Sequence, residues 1–311
     1  MNPVNQILIE GPDLSGKTSL YSHIHKLTDY RWNIQDRSAL SMLVHAKFYN
    51  RDTFNHVENL NSELNNLNNF MMILLPDWSV ISKRFADRGD EIQSLTSLRK
   101  IYLIFQEAAK ELELLPNVCV IRQEVDDYIA KSLVADLIKF ETRNFYNLSK
   151  LFLQAAHASK EKEKIGLSLT SYDSGTFSGI NTDYLNYEKE KVYYSQIRET
   201  LIKKIDDELH GINEYFREED VSSRRFIYTS DTCISLAHFM IRKQMLDCKF
   251  FLRSSNVKDT LTYDLNFIKY LCKEVYNFLK LENHTVKISV TINSAHILSN
   301  MNVESENKIE D

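Results

Sequence analysis

The sequence predicts an α/β fold: a parallel sheet with helices on both faces over the first 145 or so residues, followed by a second region of helices and strands. Two observations predict it. Short apolar runs alternate with amphipathic stretches from residue 6 to residue 140, the pattern of a helix-covered parallel sheet. The alternation then stops at a stretch rich in glycine, serine and threonine, after which two long helical stretches and several strand-like runs follow.

Residues 6–10 (QILIE) read as a short buried strand, followed by a glycine-bearing turn and a helix from Ser19 to about Leu27. Residues 31–36 read as a second strand and 38–49 as a helix, while the asparagine-rich 53–69 read as a loop plus a helix. FMMILL (70–75) is a buried strand closed by Pro76-Asp77. A helix from about Ser79 to Asp87 precedes a long one over 95–114, which places Leu98, Ile101, Tyr102 and Phe105 on one face. VCVIR (118–122) gives a strand and 125–140 a helix. The charged run 159–164 reads as a solvated turn or helix end, and 165–190 as an irregular segment holding Gly166, Gly175 and Gly179. A helix over 191–217, strands at 225–229 and 247–253, a helix over 264–281 and an alternating strand at 285–292 complete the chain, with a charged tail from Glu304. The domain boundary falls at 147/148, giving domains 1–147 and 148–311.

The chain has 311 residues, 43% hydrophobic and 26% charged, with a formal net charge of −5; this excludes a broad basic field for coating nucleic acid and leaves room for a local basic groove. Four cysteines without C-x-x-C spacing argue against a zinc or disulfide framework. The N-terminus lacks a signal-peptide pattern, and no apolar run is long enough to span a bilayer. The expectation is a cytoplasmic protein, in the host cytoplasm if phage-encoded, with no membrane partner.

Gly11-Pro-Asp13-Leu-Ser15-Gly16-Lys17-Thr18 matches G-x-x-x-x-G-K-[ST] in full, with a strand before and a helix after. Such a loop wraps a polyphosphate in main-chain amides at a helix N-terminus, where the partial positive charge favours anions. Lys17 then reaches the β- and γ-phosphates and the Thr18 hydroxyl ligates Mg²⁺. The motif predicts ATP and Mg²⁺ as the bound pair.

With Asp36-Arg37-Ser38 and Lys83-Arg84-Phe-Ala-Asp-Arg88-Gly89-Asp90, residues 5–140 resemble the thymidylate kinase-like branch of nucleotide kinases, including small kinases found in phages. The resemblance implies a P-loop kinase-type domain in which Asp36 holds the acceptor or the Mg²⁺ shell. It implies that Arg37 grips the acceptor phosphate, that Arg84 and Arg88 act as lid arginines, and that Asp13 contacts the acceptor sugar. One departure concerns the acceptor: Asp36 lies only 18 residues after Thr18, where thymidylate kinases carry an additional acceptor-binding segment.

Ser223-Arg224-Arg225, Cys233, Arg253-Ser254-Ser-Asn256, Asp264 and His296-Ile-Leu298-Ser-Asn300 make residues 222–300 resemble the C-terminal half of thymidylate synthase and the pyrimidine hydroxymethylases. The resemblance implies an α+β thymidylate synthase-like domain, truncated or degenerate, that binds a pyrimidine nucleotide and forms a homodimer. Arg224, Arg225, Arg253, Ser254 and Asn256 would take the phosphate, Asp264 the base edge, and His296 the sugar. Cys233 stands at the family's nucleophile, where a thiolate would add to C6 of the pyrimidine. Folate is the family's second ligand, but residues 146–200 carry no match to the part that supplies the catalytic glutamate and the folate contacts.

The sequence therefore predicts an ATP-dependent kinase acting on a pyrimidine deoxynucleotide, dTMP or a 5-hydroxymethyl pyrimidine, with a synthase-like domain that binds a related nucleotide. Two alternatives stand beside it. One is a kinase acting on 5-hydroxymethyl pyrimidine bases within DNA, as in phage DNA modification, with DNA as partner and the base flipped out of the stack. The other is a non-catalytic nucleotide-binding dimerisation protein.

Overall fold

The computed structural model describes residues 3–89, 93–142, 148–177, 188–211 and 226–297. The first sheet is four-stranded and parallel, in the order β2-β1-β3-β4, built from β1 (Gln6–Glu10), β2 (Ile34–Asp36), β3 (Asn69–Leu74) and β4 (Val118–Ile121). Ile7, Leu8, Ile9, Met71, Met72, Ile73 and Leu74 are buried, as near-continuous apolar strands must be when helices cover both faces. On one face α1 (Lys17–Thr28) and α6 (Asp127–Glu141) pack on Ile7, Ile9 and Met72. On the other, α2 (Ala39–Phe48), α3 (Phe54–Asn65), α4 (Trp78–Arg88) and α5 (Leu95–Leu112) pack on Leu8, Met71 and Ile73. The alternation read from the sequence is thus present in order, with α3 filling most of the asparagine-rich stretch.

Beyond it, α7 (Ser149–Ala158) leads into β5 (Glu163–Asp173), α8 (Glu188–Gly211), β6 (Phe226–Thr229), β7 (Ile234–Arg242), β8 (Met245–Asn256), α9 (Leu261–Phe278) and β9 (Thr285–His296). The second sheet has the order β5-β9-β8-β7-β6. It is antiparallel except for β8 and β9, which run parallel because α9 crosses between them.

Three elements differ from the sequence reading. Residues 163–173, expected as a charged turn and the start of an irregular segment, form β5. Its buried side comprises only Leu167, Leu169 and Ser171, and Gly166 takes a φ of 72° within it. Pairing to β9 through ten register positions outweighs this low apolar content. Strand β7 was not expected, and neither was α7, which buries Leu151, Phe152, Ala155 and Ala156.

The asparagine run has a structural use. Asn65 Nδ2 donates to Ile165 O at 2.9 Å, Leu67 N to Ser168 O at 2.9 Å and Asn68 Nδ2 to Thr170 O at 2.8 Å, while Asn68 Oδ1 accepts from Thr170 N. Short side-chain amides thereby satisfy the outer edge of β5, which would otherwise present unpaired backbone groups. They tie the second sheet to the loop entering β3. Among the described residues, no helix is long and apolar enough to cross a membrane.

Candidate phosphate-binding site

The turn between β1 and α1 needs its glycines. Gly11 has a φ of 136°, and a Cβ there would stand 2.4 Å from Leu74 O of β3, so only glycine lets the loop lie against that strand. Leu14 (φ 65°) and Gly16 (φ 105°) continue the left-handed turns. Lys17, 6% exposed, folds back over the loop and donates to Gly11 O and Pro12 O, each at 2.8 Å. Burial lowers its pKa from the ordinary lysine value, while the Asp13 carboxylate 4.0 Å away works in the opposite direction. The first-turn amides of α1 have no intrahelical acceptor, and the buried Ser15 hydroxyl has no protein partner among the described residues.

A cavity of about 250 Å³ opens in front of this turn, lined by Asp13, Gly16, Lys17, Thr18, Asp36, Arg37 and Arg88 among others. Asp36 is the last residue of β2, in register with Ile9 of β1. Arg37 follows at a φ of 68°, and its guanidinium meets Asp13 Oδ1 at 2.6 Å. The loop aspartate and the strand-end arginine thus face each other across the opening. The two α4 arginines part company. Arg88 lines this cavity, whereas Arg84 braces the loop from outside, donating to Leu14 O at 2.8 Å and to Glu124 at 3.0 Å.

Two residues not singled out in the sequence hold this geometry, and a third stands beside it. Glu10, fully buried at the end of β1, accepts from Ser38 N at 2.6 Å, Ser38 Oγ at 2.7 Å, Ser41 N at 3.2 Å and Ser41 Oγ. Its carboxylate caps the start of α2 and fixes the turn carrying Asp36 and Arg37. Glu63 of α3 adds contacts to Ala39 N at 3.3 Å, and burial raises its pKa. The available signal for Glu10 was an acidic residue closing an otherwise apolar strand. The third residue, His45, lines a neighbouring cavity of about 340 Å³ with Arg37, Ser38, Ser41, Met42, Ala46, Arg51 and His56. Burial lowers the His45 pKa, opposed by Asp13 and reinforced by Arg37 and Lys17.

In the second sheet, the described candidates gather at one end. Arg253 N donates to Cys233 O at 2.8 Å, and Cys233 is an exposed thiol in the turn before β7. Asn256 is the register partner of His296, and Ser254 that of Ser294. Asp264, 5% exposed in the first turn of α9, accepts from Tyr194 Oη at 2.8 Å and Ser255 Oγ at 3.2 Å. Asn256 Nδ2 donates to Asp259 at 2.7 Å. Ser223, Arg224, Arg225, Leu298 and Asn300 lie outside the described residues, as does Asp90.

No protein-family model and no curated protein matches the chain. Among solved structures, it is similar to a deoxyadenosine kinase from M. mycoides with dCMP and dCDP bound, at 14% identity over 43% of this chain and 98% of that one, TM-score 0.32. It is similar to the YorR protein of Bacillus subtilis in complex with phosphorylated GDP, at 19% identity over 43% of this chain and 94% of that one, TM-score 0.34. A third likeness is to thymidylate synthase from T4 phage, at 21% identity over 32% of this chain and 35% of that one, TM-score 0.25. At these scores the likenesses assign no activity, and the function has to be read from the residues around the cavity.

Proposed function

We propose that the chain is an ATP-dependent kinase that transfers the γ-phosphate to a pyrimidine deoxynucleotide-type acceptor, dTMP or a 5-hydroxymethyl pyrimidine nucleotide. The observation that carries this reading is that one cavity is lined by Lys17, Thr18, Asp36, Arg37 and Arg88, residues drawn from a loop, a strand end and a helix far apart in the chain. The Ser15 hydroxyl, which has no partner among the described residues, and the first-turn amides fit a bound polyphosphate. In the proposed roles, the loop and Lys17 hold the β- and γ-phosphates, Thr18 and Asp36 hold Mg²⁺, and Arg37 grips the acceptor's phosphate. Arg88 neutralises the charge that develops as the acceptor oxygen bonds to the γ-phosphorus and the bridging bond breaks, its electron pair leaving with ADP. Bound Mg²⁺ supplies further neutralisation of the β- and γ-oxygens.

The domain boundary at 147/148, pyrimidine nucleotide binding by the second domain and homodimerisation through it belong to the same proposal. The end of the second sheet that gathers Cys233, Arg253, Ser254, Asn256 and His296 supports the binding role. The Asp264 carboxylate is engaged by Tyr194 and Ser255, which favours binding over synthase chemistry there. The test is transfer from γ-labelled ATP and Mg²⁺ to dTMP, dUMP, 5-hydroxymethyl-dUMP, dCMP and hydroxymethylated DNA in turn. Label on at least one free pyrimidine nucleotide is expected; label on none of the acceptors overturns the kinase reading, and label on DNA alone overturns the free-nucleotide acceptor.

A further inference from the structure

Arg37 lines both the phosphate cavity and the cavity of about 340 Å³ beside α2, so the two are neighbours. In the second cavity, Ser38, Ser41, Met42 and His45 fall on one stripe of α2, three or four residues apart. The cavity is therefore a groove along that helix, with Arg37 at its start. From Ser38 to Ala46 the helical rise amounts to about 12 Å. Beyond Ala46 the left-handed Asn50 (φ 52°) turns the chain back, and Arg51 N donates to Ala46 O at 2.8 Å. This fold-back brings Arg51 to the far end of the groove, together with His56 of α3.

Both ends of the groove carry a guanidinium, but the two are held differently. Arg37 is drawn to Asp13 at 2.6 Å. Among the described residues no carboxylate stands within ion-pair distance of Arg51, whose guanidinium lies over the Tyr49 ring at 5.0 Å instead. A guanidinium held by its face keeps its planar row of N–H donors free. Between the ends, the Ser38 and Ser41 hydroxyls are turned to Glu10, and Met42 supplies an apolar wall. The described lining contains no aspartate, glutamate, asparagine or glutamine.

These features specify what the far end can read. A nucleotide whose phosphate lies at Arg37, next to the phosphate cavity, extends its base along α2 toward Arg51. A guanidinium donates and cannot accept, so it suits a base edge that bears a carbonyl oxygen. Exocyclic amines are read by carboxylate or carboxamide acceptors, which the described wall lacks; opposite Arg51 an amine would set donor against donor. Burial keeps His45 neutral at pH 7, and a neutral imidazole has one nitrogen that can accept from the ring N–H beside such a carbonyl.

We propose that Arg51 is the specificity-determining residue for the acceptor: its guanidinium donates to the 4-keto oxygen of a thymine or uracil nucleotide and disfavours cytosine. This rests on the kinase reading above, which leaves the choice between keto and amino pyrimidines open.

The test is isothermal titration of the full chain with dTMP, dUMP, dCMP and 4-thio-dTMP, without ATP. dTMP and dUMP are expected to bind at least about tenfold more tightly than dCMP. Arg51→Ala should weaken dTMP by about tenfold, the scale of one hydrogen bond to a charged group, and bring dTMP and dCMP to equal affinity. Arg51→Lys, which keeps the cation without the planar fork, should recover part of the selectivity. Sulfur is a weaker acceptor than oxygen, so 4-thio-dTMP should bind the wild-type chain less tightly than dTMP and bind Arg51→Ala equally well; the wild-type comparison needs no variant to fold. Equal binding of dTMP and dCMP, binding of neither, or equal weakening of both by Arg51→Ala, as a hold on the phosphate would give, overturns the proposal. The two readings fail separately. Transfer from ATP without this selectivity removes this inference alone, whereas selective, Arg51-dependent binding with no transfer to any acceptor removes the kinase reading.

Discussion

The phosphate turn and the far end of the second sheet both gather residues that the sequence singled out, but they are assembled in opposite ways. The turn is eight consecutive residues whose shape follows from three left-handed positions and one lysine folded onto its own loop carbonyls. The cluster on the second sheet draws Cys233, Arg253 to Asn256, Asp264 and His296 from a turn, two strands and a helix, so its geometry depends on the whole sheet. Each region also commits one buried carboxylate to structure. Glu10 receives Ser38 and Ser41 beside a cavity lined with polar side chains, while Asp264 receives Tyr194 and Ser255 at the position where a base-reading group was expected. A contiguous motif leaves its neighbours available for chemistry, whereas a dispersed one loses a member as soon as packing finds another use for it.

The largest effect is expected at the turn. Lys17→Ala should lower phosphoryl transfer by at least roughly 10²- to 10³-fold, the range seen when a preorganised charge-stabilising donor is removed. Single-turnover assays with labelled ATP measure it, and near wild-type turnover would place the chemistry elsewhere. Substitutions in the second sheet should leave transfer far less affected, and an equal loss there would erase the contrast between the two regions.

The two buried carboxylates sharpen it next. Glu10→Gln replaces an acceptor of four hydrogen bonds with an amide that cannot accept them all, at a cost of about 2–4 kcal/mol. It should also lower transfer, because the turn carrying Asp36 and Arg37 hangs on that carboxylate. Asp264→Asn leaves one of two hydroxyl donors poorly matched and should cost about 1–3 kcal/mol, with transfer retained. Urea unfolding gives the stabilities. A loss of transfer in Asp264→Asn comparable to that in Glu10→Gln would show that the two regions work as one site.

His45 gives a smaller, pH-dependent effect. Burial holds its folded pKa below the ordinary value near 6.5, so the unfolded chain takes up the proton first as pH falls. Asp13 faces the ring as the opposing charge, and Arg37 and Lys17 reinforce the depression. Its contribution is fully present above about pH 6.5 and is lost as pH drops through the window below that value. Melting temperatures from pH 7.5 to 5.5 should therefore fall further for the wild-type chain than for His45→Gln. Parallel curves would mean that the ring is not held neutral in the cavity wall.

Strands β1, β3 and β4 were legible because they write themselves as short apolar runs, and the phosphate turn because it is local in sequence, whereas β2, with Gln35 and Asp36 exposed, was legible only through its place in the alternation. β5 was not, since its apolar alternation spans only Ile165, Leu167 and Leu169, set among serine, threonine and lysine and across a glycine; β9 and the asparagine amides of 65–68 make it a strand. Glu10 and His45 escaped notice for a related reason: a single acidic or imidazole side chain acquires meaning only when residues about thirty positions away fold against it. The short stretch between Thr18 and Asp36 was visible, but not that α2 and its fold-back at Asn50 would place Arg51 and Tyr49 beside a cavity.

Cys233 is the site of the smallest expected effect and the one that most directly probes the second region. Its thiol is exposed in a turn, so Cys233→Ala should change stability by no more than about 0.5 kcal/mol, and transfer from ATP should be unaltered. The Arg253 amide donates to the Cys233 carbonyl, a backbone bond that the substitution preserves. If the cluster binds a pyrimidine nucleotide without attacking it, tritium at C5 of labelled dUMP or dCMP stays in place with either protein. Release by the wild-type chain that vanishes in Cys233→Ala would instead demonstrate thiolate addition at C6. The second region would then be a catalytic centre despite the engagement of Asp264, and dispersal along the chain would have cost it nothing.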